Sequence, residues 1–249
     1  MSAGPETMRY LIQTWGCQMN THDSEKLSGI LEELGYAPAE SVPQADVLLL
    51  NTCSVREKAE EKVFSHLGAL RRLKEQRPGM IIGLCGCVAQ QEGEGIFRRS
   101  GLVDFVLGPR AIASLPSILE EVQTHRNRPM DLGRRDDSIR FDGARARRAP
   151  GTKAFVTIVE GCNKACTYCI VPTTRGREIS KPAGAILRES AALAEQGYRE
   201  IELLGQNVNA YRDGDVRLDG LLRMLQHIEG IRRLRFTTSH PAHLSIDIM

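Results

Sequence analysis

Short, continuous apolar runs alternate with longer stretches in which apolar residues recur every three or four positions. Tyr10 to Trp15 is the first run, and Leu27, Ile30, Leu31 and Leu34, ending at Gly35, have the spacing of one helix face after His22. Asp46 to Asn51 (DVLLLN) shows no polar alternation, which is the pattern of a strand covered on both faces. Ser54 and Glu57 have capping-box spacing for a helix reaching about Glu75. The rhythm repeats with Met80 to Leu84, a weaker helical pattern over Ala89 to Arg99, the run Val103 to Leu107 and a helix over Leu115 to Val122. These units predict an α/β fold that begins with a doubly wound parallel-sheet domain over 1–125.

After Pro150 the rhythm resumes. Ala154 to Val159 reads as a strand, followed by a helix opened by Pro182 at its first position and closed at Gly197. Ile201 to Leu204, a helix over Leu218 to Ile228 and a strand over Leu234 to Phe236 complete about three βα units. They predict part of a (βα) barrel over 151–249, with Gln206, Asn207, Asn209, Ser239 and His240 where strands end. Between the halves, 126–150 carries eight arginines and four aspartates with little apolar periodicity, and is expected to be an Arg-rich linker. It reads either as a contact for RNA phosphates or as a solvated connection, since the aspartates offset half the charge.

Composition narrows the class. The 249 residues are 41% hydrophobic and 26% charged, with a net charge of +2, too small to announce a nucleic-acid binder by bulk electrostatics. MSAGPETMRY has neither an apolar signal core nor a basic amphipathic presequence. No apolar stretch approaches the roughly 20 residues that span a bilayer. The expectation is a cytoplasmic monomer with no membrane partner. Seven cysteines are too sparse and too odd in number for a disulfide scaffold, and read better as metal ligands or reactive thiols.

Their positions are the strongest chemical signal. Cys162, Cys166 and Cys169, spaced C-x3-C-x2-C in EGCNKACTYCIVP, directly follow a predicted strand. Three thiolates hold three irons of a 4Fe-4S cube and leave one iron open, whereas a closed zinc site or a simple electron carrier normally takes four protein ligands. An open iron is a place for a substrate. The alternative is a zinc knuckle that borrows its fourth ligand elsewhere. Cys17, Cys53 and Cys87 fall just past the carboxyl ends of successive predicted strands, 36 and 34 residues apart. Those ends share one edge of a parallel sheet, so the three thiols are expected to converge. Cys53 immediately precedes the predicted capped helix, where the helix dipole favours a thiolate. Cys85, two residues before Cys87, could be a fourth ligand but is expected to be a bystander.

The C-x3-C-x2-C loop, with Tyr168 before its last cysteine, resembles the radical S-adenosylmethionine (SAM) enzymes. TWGCQMN around Cys17, NTCSVREKAEEKVF around Cys53, GCVAQQEG around Cys87, TRGRE, LLGQNVNAY and RFTTSHP widen that likeness to nearly the whole chain. The sequence resembles the methylthiotransferases of the MiaB type, in forms closer to the tRNA branch than to its ribosomal-protein-modifying relative. One departure is Thr173 in VPTTRG, where that family usually has tyrosine.

The resemblance implies two 4Fe-4S clusters, one on Cys162, Cys166 and Cys169 and one on Cys17, Cys53 and Cys87. SAM would be both radical source and methyl donor, because the C–H bond of an adenine ring is neither acidic nor polarised and the hard step belongs to the cofactor. Tyr168, Gln206 and Asn207 are the implied SAM contacts, with Arg175 nearby for an anionic substrate; no side chain is assigned as a catalytic acid or base. The implied enzyme is a transferase that adds a methylthio group to the isopentenylated adenosine beside the anticodon of tRNA. Its partners would be the anticodon stem-loop, an electron donor and a sulfur or cluster-delivery protein. Another tRNA nucleoside, a ribosomal protein, or a non-catalytic iron–sulfur fragment that binds RNA are the alternatives. The resemblance also implies a barrel of six βα units, whereas Met249 follows shortly after the third strand. The expectation is therefore a chain truncated within the radical SAM domain, and inactive by itself.

Overall fold

A computed structural model describes residues 7–54, 57–133, 146–237, 239–244 and 246–248, with backbone alone at 57–60 and 247. The described chain divides into two compact units, the first reaching residue 133 and taking in 146–147, the second running from Arg148 onward.

The first unit is built in chain order from β1 (Arg9–Trp15), α1 (Gln18–Glu33), β2 (Ala37–Pro38), β3 (Val47–Thr52), α2 (Glu57–Gln76), β4 (Ile81–Gly86), α3 (Cys87–Glu92), α4 (Gly95–Arg99), β5 (Phe105–Leu107), α5 (Leu115–His125) and β6 (Met130–Asp131). Its six strands are parallel, in the order β2-β1-β3-β4-β5-β6. Every residue of β3 and β4 is buried, as the unbroken apolar runs require when helices cover both faces. Val47, Leu49, Ile81, Phe105 and Leu107 pack on one face with Leu27 and Leu31 of α1 and Ile118 and Leu119 of α5. Leu48, Leu50, Ile82, Leu84 and Val106 pack on the other with Val63, Leu67 and Leu70 of α2. The chain leaves β1 for β2 on one side and returns to β3 on the other. The order thus reverses between β1 and β3, where open α/β sheets form a crevice at their carboxyl edge.

The arginine-rich stretch is not a linker from its start. Met130–Asp131 adds the sixth strand, paired with Val106 and Leu107, and Met130 packs against the core. Arg128 donates to the carbonyls of Val103 and Ser100 and lies over the Phe97 ring. A two-residue edge strand has no periodicity to read, so composition alone assigned it to the connection. Residues 134–145 lie outside the described chain. Arg147 belongs to the first unit, through the Glu25 carbonyl and the Glu32 carboxylate, and Arg148 to the second, through the Phe155 carbonyl and Glu189.

The second unit contains β7 (Lys153–Thr157), β8 (Val159–Glu160), α6 (Val171–Thr174), β9 (Ile179–Ser180), α7 (Ala183–Glu195), β10 (Glu200–Leu204), β11 (Arg212–Asp213), β12 (Val216–Arg217), α8 (Leu218–Leu225) and β13 (Arg233–Phe236). β13, β10 and β7 form a parallel sheet in that order, each joined to the next through a helix, as expected of part of a (βα) barrel. Val156, Ile201 and Leu203 face Ile186 and Leu193 of α7 and Leu218, Leu221 and Leu225 of α8. Pro182 is the N-cap of α7 rather than its first residue. The short pairs β8/β9 and β11/β12 are antiparallel.

Glu202, on β10, is 1% exposed and accepts hydrogen bonds from Thr237 and Lys153. Burial opposes its charge, but the Thr237 and Lys153 bonds outweigh it and hold the carboxyl below its ordinary range. A folded value lower than the unfolded one gives stability that is present at neutral pH and lost as pH falls through the folded value. Glu202→Gln should therefore destabilise the second unit by about 2 kcal/mol at pH 7. The gap to the parent should narrow below about pH 4, measured by urea unfolding at both pH values.

Candidate functional site

The carboxyl edge of the first sheet carries three thiols. Trp15 pairs with Thr52 and Thr52 with Gly86, so β1, β3 and β4 end in one row. Cys17 lies two residues past that row, and Cys53 and Cys87 one residue past it. The Cys53 amide continues the ladder by donating to the Trp15 carbonyl at 2.9 Å. Cys53 and Cys87 are 3% and 5% exposed, while Cys17 is open to solvent. The topology thus puts these residues just past the ends of three neighbouring strands, along the edge that includes the β1/β3 reversal.

The helix assignments at this edge differ from expectation. α2 is described from Glu57 onward, and the expected Ser54–Glu57 capping box next to Cys53 falls outside the described side chains. Cys17 is the N-cap of the sixteen-residue α1, and Cys87 is the first residue of α3. The dipole of a long helix therefore acts on Cys17. The signal was the asparagine three residues on, since the Cys17 amide donates to Asn20 Oδ1 at 3.3 Å as a capping partner would. Cys85 lies within β4, 2% exposed, among Ile81, Phe105 and Leu107 on the α1/α5 face. Burial pushes its thiol well above the ordinary range, and its place inside the strand, short of the row's end, sets it apart from Cys87.

The second unit gathers the other three thiols in one loop beyond β8. Gly161 has φ +76°, and a Cβ there would lie 2.0 Å from the Arg177 carbonyl oxygen and 2.5 Å from that of Gly176. Its amide donates to Gln206 Oε1, and the Cys162 amide donates to the Gly176 carbonyl at 3.1 Å. The start of the loop is therefore clamped between the 176–177 backbone and the turn after β10. Cys169 donates its amide to the Cys166 carbonyl, closing a tight turn before α6. Cys162 is 9% exposed, and Cys166 and Cys169 are more open. Burial pushes the Cys162 thiol up, and Glu178, Cys169 and Cys166 add to that through their charge, against a lowering hydrogen bond from the Lys164 backbone. Cys166 and Cys169 thus lie within electrostatic reach of Cys162.

Among the described residues, no three His, Cys, Asp or Glu side chains are closed around a metal position. The donors are nonetheless soft thiols at one edge and in one loop, a set that suits iron–sulfur clusters and excludes oxygen-loving cations. The glycine that lets backbone pass under the second set fits the same purpose.

Around that loop, Tyr168 is 91% exposed and Arg175 only 2%, at the C-cap of α6. Gln206 commits its Oε1 to Gly161. Asn207 is 1% exposed; its Nδ2 donates to Glu178 Oε2 at 3.1 Å and to His243 Nδ1 at 3.0 Å, while its Oδ1 is buried with no hydrogen-bond partner. Nδ2 against a carboxylate fixes the amide orientation and leaves Oδ1 as an acceptor for a ligand donor. Asn209 exchanges two hydrogen bonds with the His240 backbone, and His240 Nε2 stands 3.8 Å from Cys166 Sγ. Glu178 and His243 were missed from sequence; only Glu178, inside TRGRE, carried a signal.

Comparison with known proteins accords with this geometry. Residues 9–108 match the family described as Uncharacterized protein family UPF0004, and 156–246 match the Radical SAM superfamily. The chain is 50% identical over 249 residues, 98% of its length, to the tRNA-2-methylthio-N(6)-dimethylallyladenosine synthase of Aliivibrio fischeri (strain MJ11). It is equally identical to the synthases of that name from Vibrio vulnificus (strain YJ016), over 247 residues, and Aeromonas salmonicida (strain A449), over 244. The chain spans about half the length of these curated relatives, covering 52%, 52% and 51% of them. Among solved structures, the radical SAM methyltransferase TsrM from Kitasatospora setae shares the fold. Its complex with cobalamin and a [4Fe-4S] cluster superposes with a TM-score of 0.53 at 13% identity, over 88% of this chain and 52% of that one. The complex with tryptophan and aza-SAM gives 0.54 at 12% identity, over 88% and 50%. The chain thus carries a UPF0004 match followed by a Radical SAM superfamily match, and is half identical to these synthases along nearly all its residues.

Proposed function

We propose that the protein containing this chain is a cytoplasmic radical SAM methylthiotransferase that modifies dimethylallylated adenosine next to the anticodon of tRNA. The observation that carries the reading is the presence of two separate cysteine triads, one along the carboxyl edge of a parallel sheet and one in a clamped loop above a second sheet. Cys162, Cys166 and Cys169 would hold one 4Fe-4S cluster together with SAM, and Cys17, Cys53 and Cys87 the other. When bound, these groups supply one-electron cleavage of SAM and a sulfur for transfer.

The chain's own residues then have positional tasks. Gln206 holds Gly161 and with it the approach to Cys162. Asn207 offers its buried Oδ1 to a ligand donor, and Tyr168 presents an exposed ring beside the loop. Arg175 supplies a buried positive charge for an anionic ligand. An electron donor and a sulfur or cluster-delivery protein complete the proposed partners.

The test is anaerobic reconstitution, reduction with dithionite and assay on two acceptors, a dimethylallyladenosine-containing anticodon stem-loop and a ribosomal-protein peptide. Methylthiolation of the RNA alone supports the reading, and methylthiolation of the peptide alone overturns it.

The two nearby cysteines separate a ligand from a packed thiol. Cys87→Ala should lose the iron of the first unit, about four atoms, whereas Cys85→Ala should keep it. Iron and sulfide analysis of the two variants checks this, and the reverse result would move the ligand to Cys85.

A further inference from the structure

Beneath the thiol-bearing edge of the first unit lie two asparagines that the proposed chemistry does not use. Asn20, in the first turn of α1, and Asn51, near the end of β3, are both 0% exposed. Their amides interlock. Asn20 Nδ2 donates to Asn51 Oδ1 and to the Thr52 carbonyl, each at 3.3 Å. Asn51 Nδ2 donates to the Asn20 carbonyl at 2.9 Å and to Ser24 Oγ at 2.8 Å. Asn20 Oδ1 accepts from the Cys17 amide at 3.3 Å and from Cys17 Sγ at 3.4 Å.

Each amide atom of the pair has a partner, and the orientations are determined. The Thr52 carbonyl can only accept and the Cys17 amide can only donate, so a flip of Asn20 would break contacts on both sides. The pair touches all three cysteine-bearing segments. Asn20 is three residues after Cys17, and Asn51 is two before Cys53. Gly86, immediately before Cys87, packs so closely that a Cβ on it would lie 2.4 Å from Asn51 Oδ1.

A buried amide pair is expensive where an apolar pair would fill the same space. Asn51 follows directly on Leu48, Leu49 and Leu50, all 0% exposed, and one more aliphatic residue would extend that core without desolvating an amide. What the amides add to the backbone ladder that already joins β1, β3 and β4 is a side-chain bond from the first turn of α1 to the end of β3, which fixes the geometry beyond the row. We propose that Asn20 and Asn51 are positioning residues that set the spacing of the Cys17, Cys53 and Cys87 thiols for a cluster held at three points. The inference rests on those cysteines being ligands, and its test separates the two ideas.

The test uses the full chain with Cys162, Cys166 and Cys169 replaced by alanine, so that only the first unit holds iron and sulfide after anaerobic reconstitution. In this background Asn51→Leu removes the interlock, and Asn51→Asp keeps the shape and the Oδ1 acceptor but loses both donations. Leu67→Ala, in the α2 core and outside the contacts of the pair, is a control for lost stability alone. The readouts are iron retained against a competing chelator and the electron paramagnetic resonance line shape of the reduced cluster, alongside the unfolding midpoint. Both Asn51 variants should lose about 10-fold in resistance to the chelator and show an altered line shape, with Asp milder than Leu. Leu67→Ala should lower the midpoint and leave the line shape as in the parent. An unchanged line shape and iron retention in both Asn51 variants, while Cys87→Ala loses its iron, would overturn the positioning role. Retention of that iron by Cys87→Ala would instead overturn the ligand reading beneath it.

Discussion

Replacing Cys162, Cys166 and Cys169 together by alanine is expected to leave about half of roughly eight irons and to abolish reductive cleavage of SAM. The expectation follows from separation. The other three thiols belong to a different compact unit and are held by the ends of β1, β3 and β4, none of which the substitutions touch. Iron should therefore fall by one cluster rather than two, and the remaining cluster should give no 5′-deoxyadenosine with dithionite and SAM. Full iron content after the triple change would mean that the loop is not a ligand set, and loss of all iron would mean that the two sites are not independent.

The second large effect is expected at Gly161, with every cysteine left in place. Gly161→Ala forces a side chain into left-handed backbone, which costs about 1–2 kcal/mol, and drives its Cβ into two carbonyl oxygens that cannot swing away as a side chain would. The site escapes only by releasing the 176–177 segment or the Gln206 bond, and both locate Cys162. The variant should lose the iron of the second unit almost as completely as the triple alanine variant and keep that of the first. Its unfolding should be destabilised by about 3 kcal/mol or more. Normal iron content and SAM cleavage in Gly161→Ala would show that the clamp at the loop's start is dispensable.

Much of the fold could be read from the chain because burial on both faces leaves so plain a trace. DVLLLN and MIIGL became β3 and β4, with one to two residues' shift at their ends. The cysteine positions were legible for the same reason, since strands read in order give strand ends in order. What escaped depended on long-range partners. Met130–Asp131 is a strand only because β5 lies beside it. The weak helical pattern over Ala89 to Arg99 is two short helices, broken at Gly93. Asn20 and Asn51 are ordinary polar residues in sequence, and only the fold of α1 onto β3 turns them into one interlocked pair. Glu178 and His243 flank Asn207 in space, 29 and 36 residues from it along the chain.

The parallel arrangement of β1, β3 and β4 also fixes an order of events. Cys17, Cys53 and Cys87 stand 36 and 34 residues apart, each pair separated by a complete crossover, and nothing short of the formed sheet brings them together. Cys162, Cys166 and Cys169 fall within eight residues of chain, a span that an unfolded polypeptide closes within about 100 ns. During refolding in the presence of metal, the clustered thiols can capture ions before any tertiary structure exists, and a wrong ion held there would be trapped as the unit closes over it. The dispersed thiols have no such early affinity, so a cluster held by them would be loaded only after the first unit had folded, with Cys17 as its exposed member.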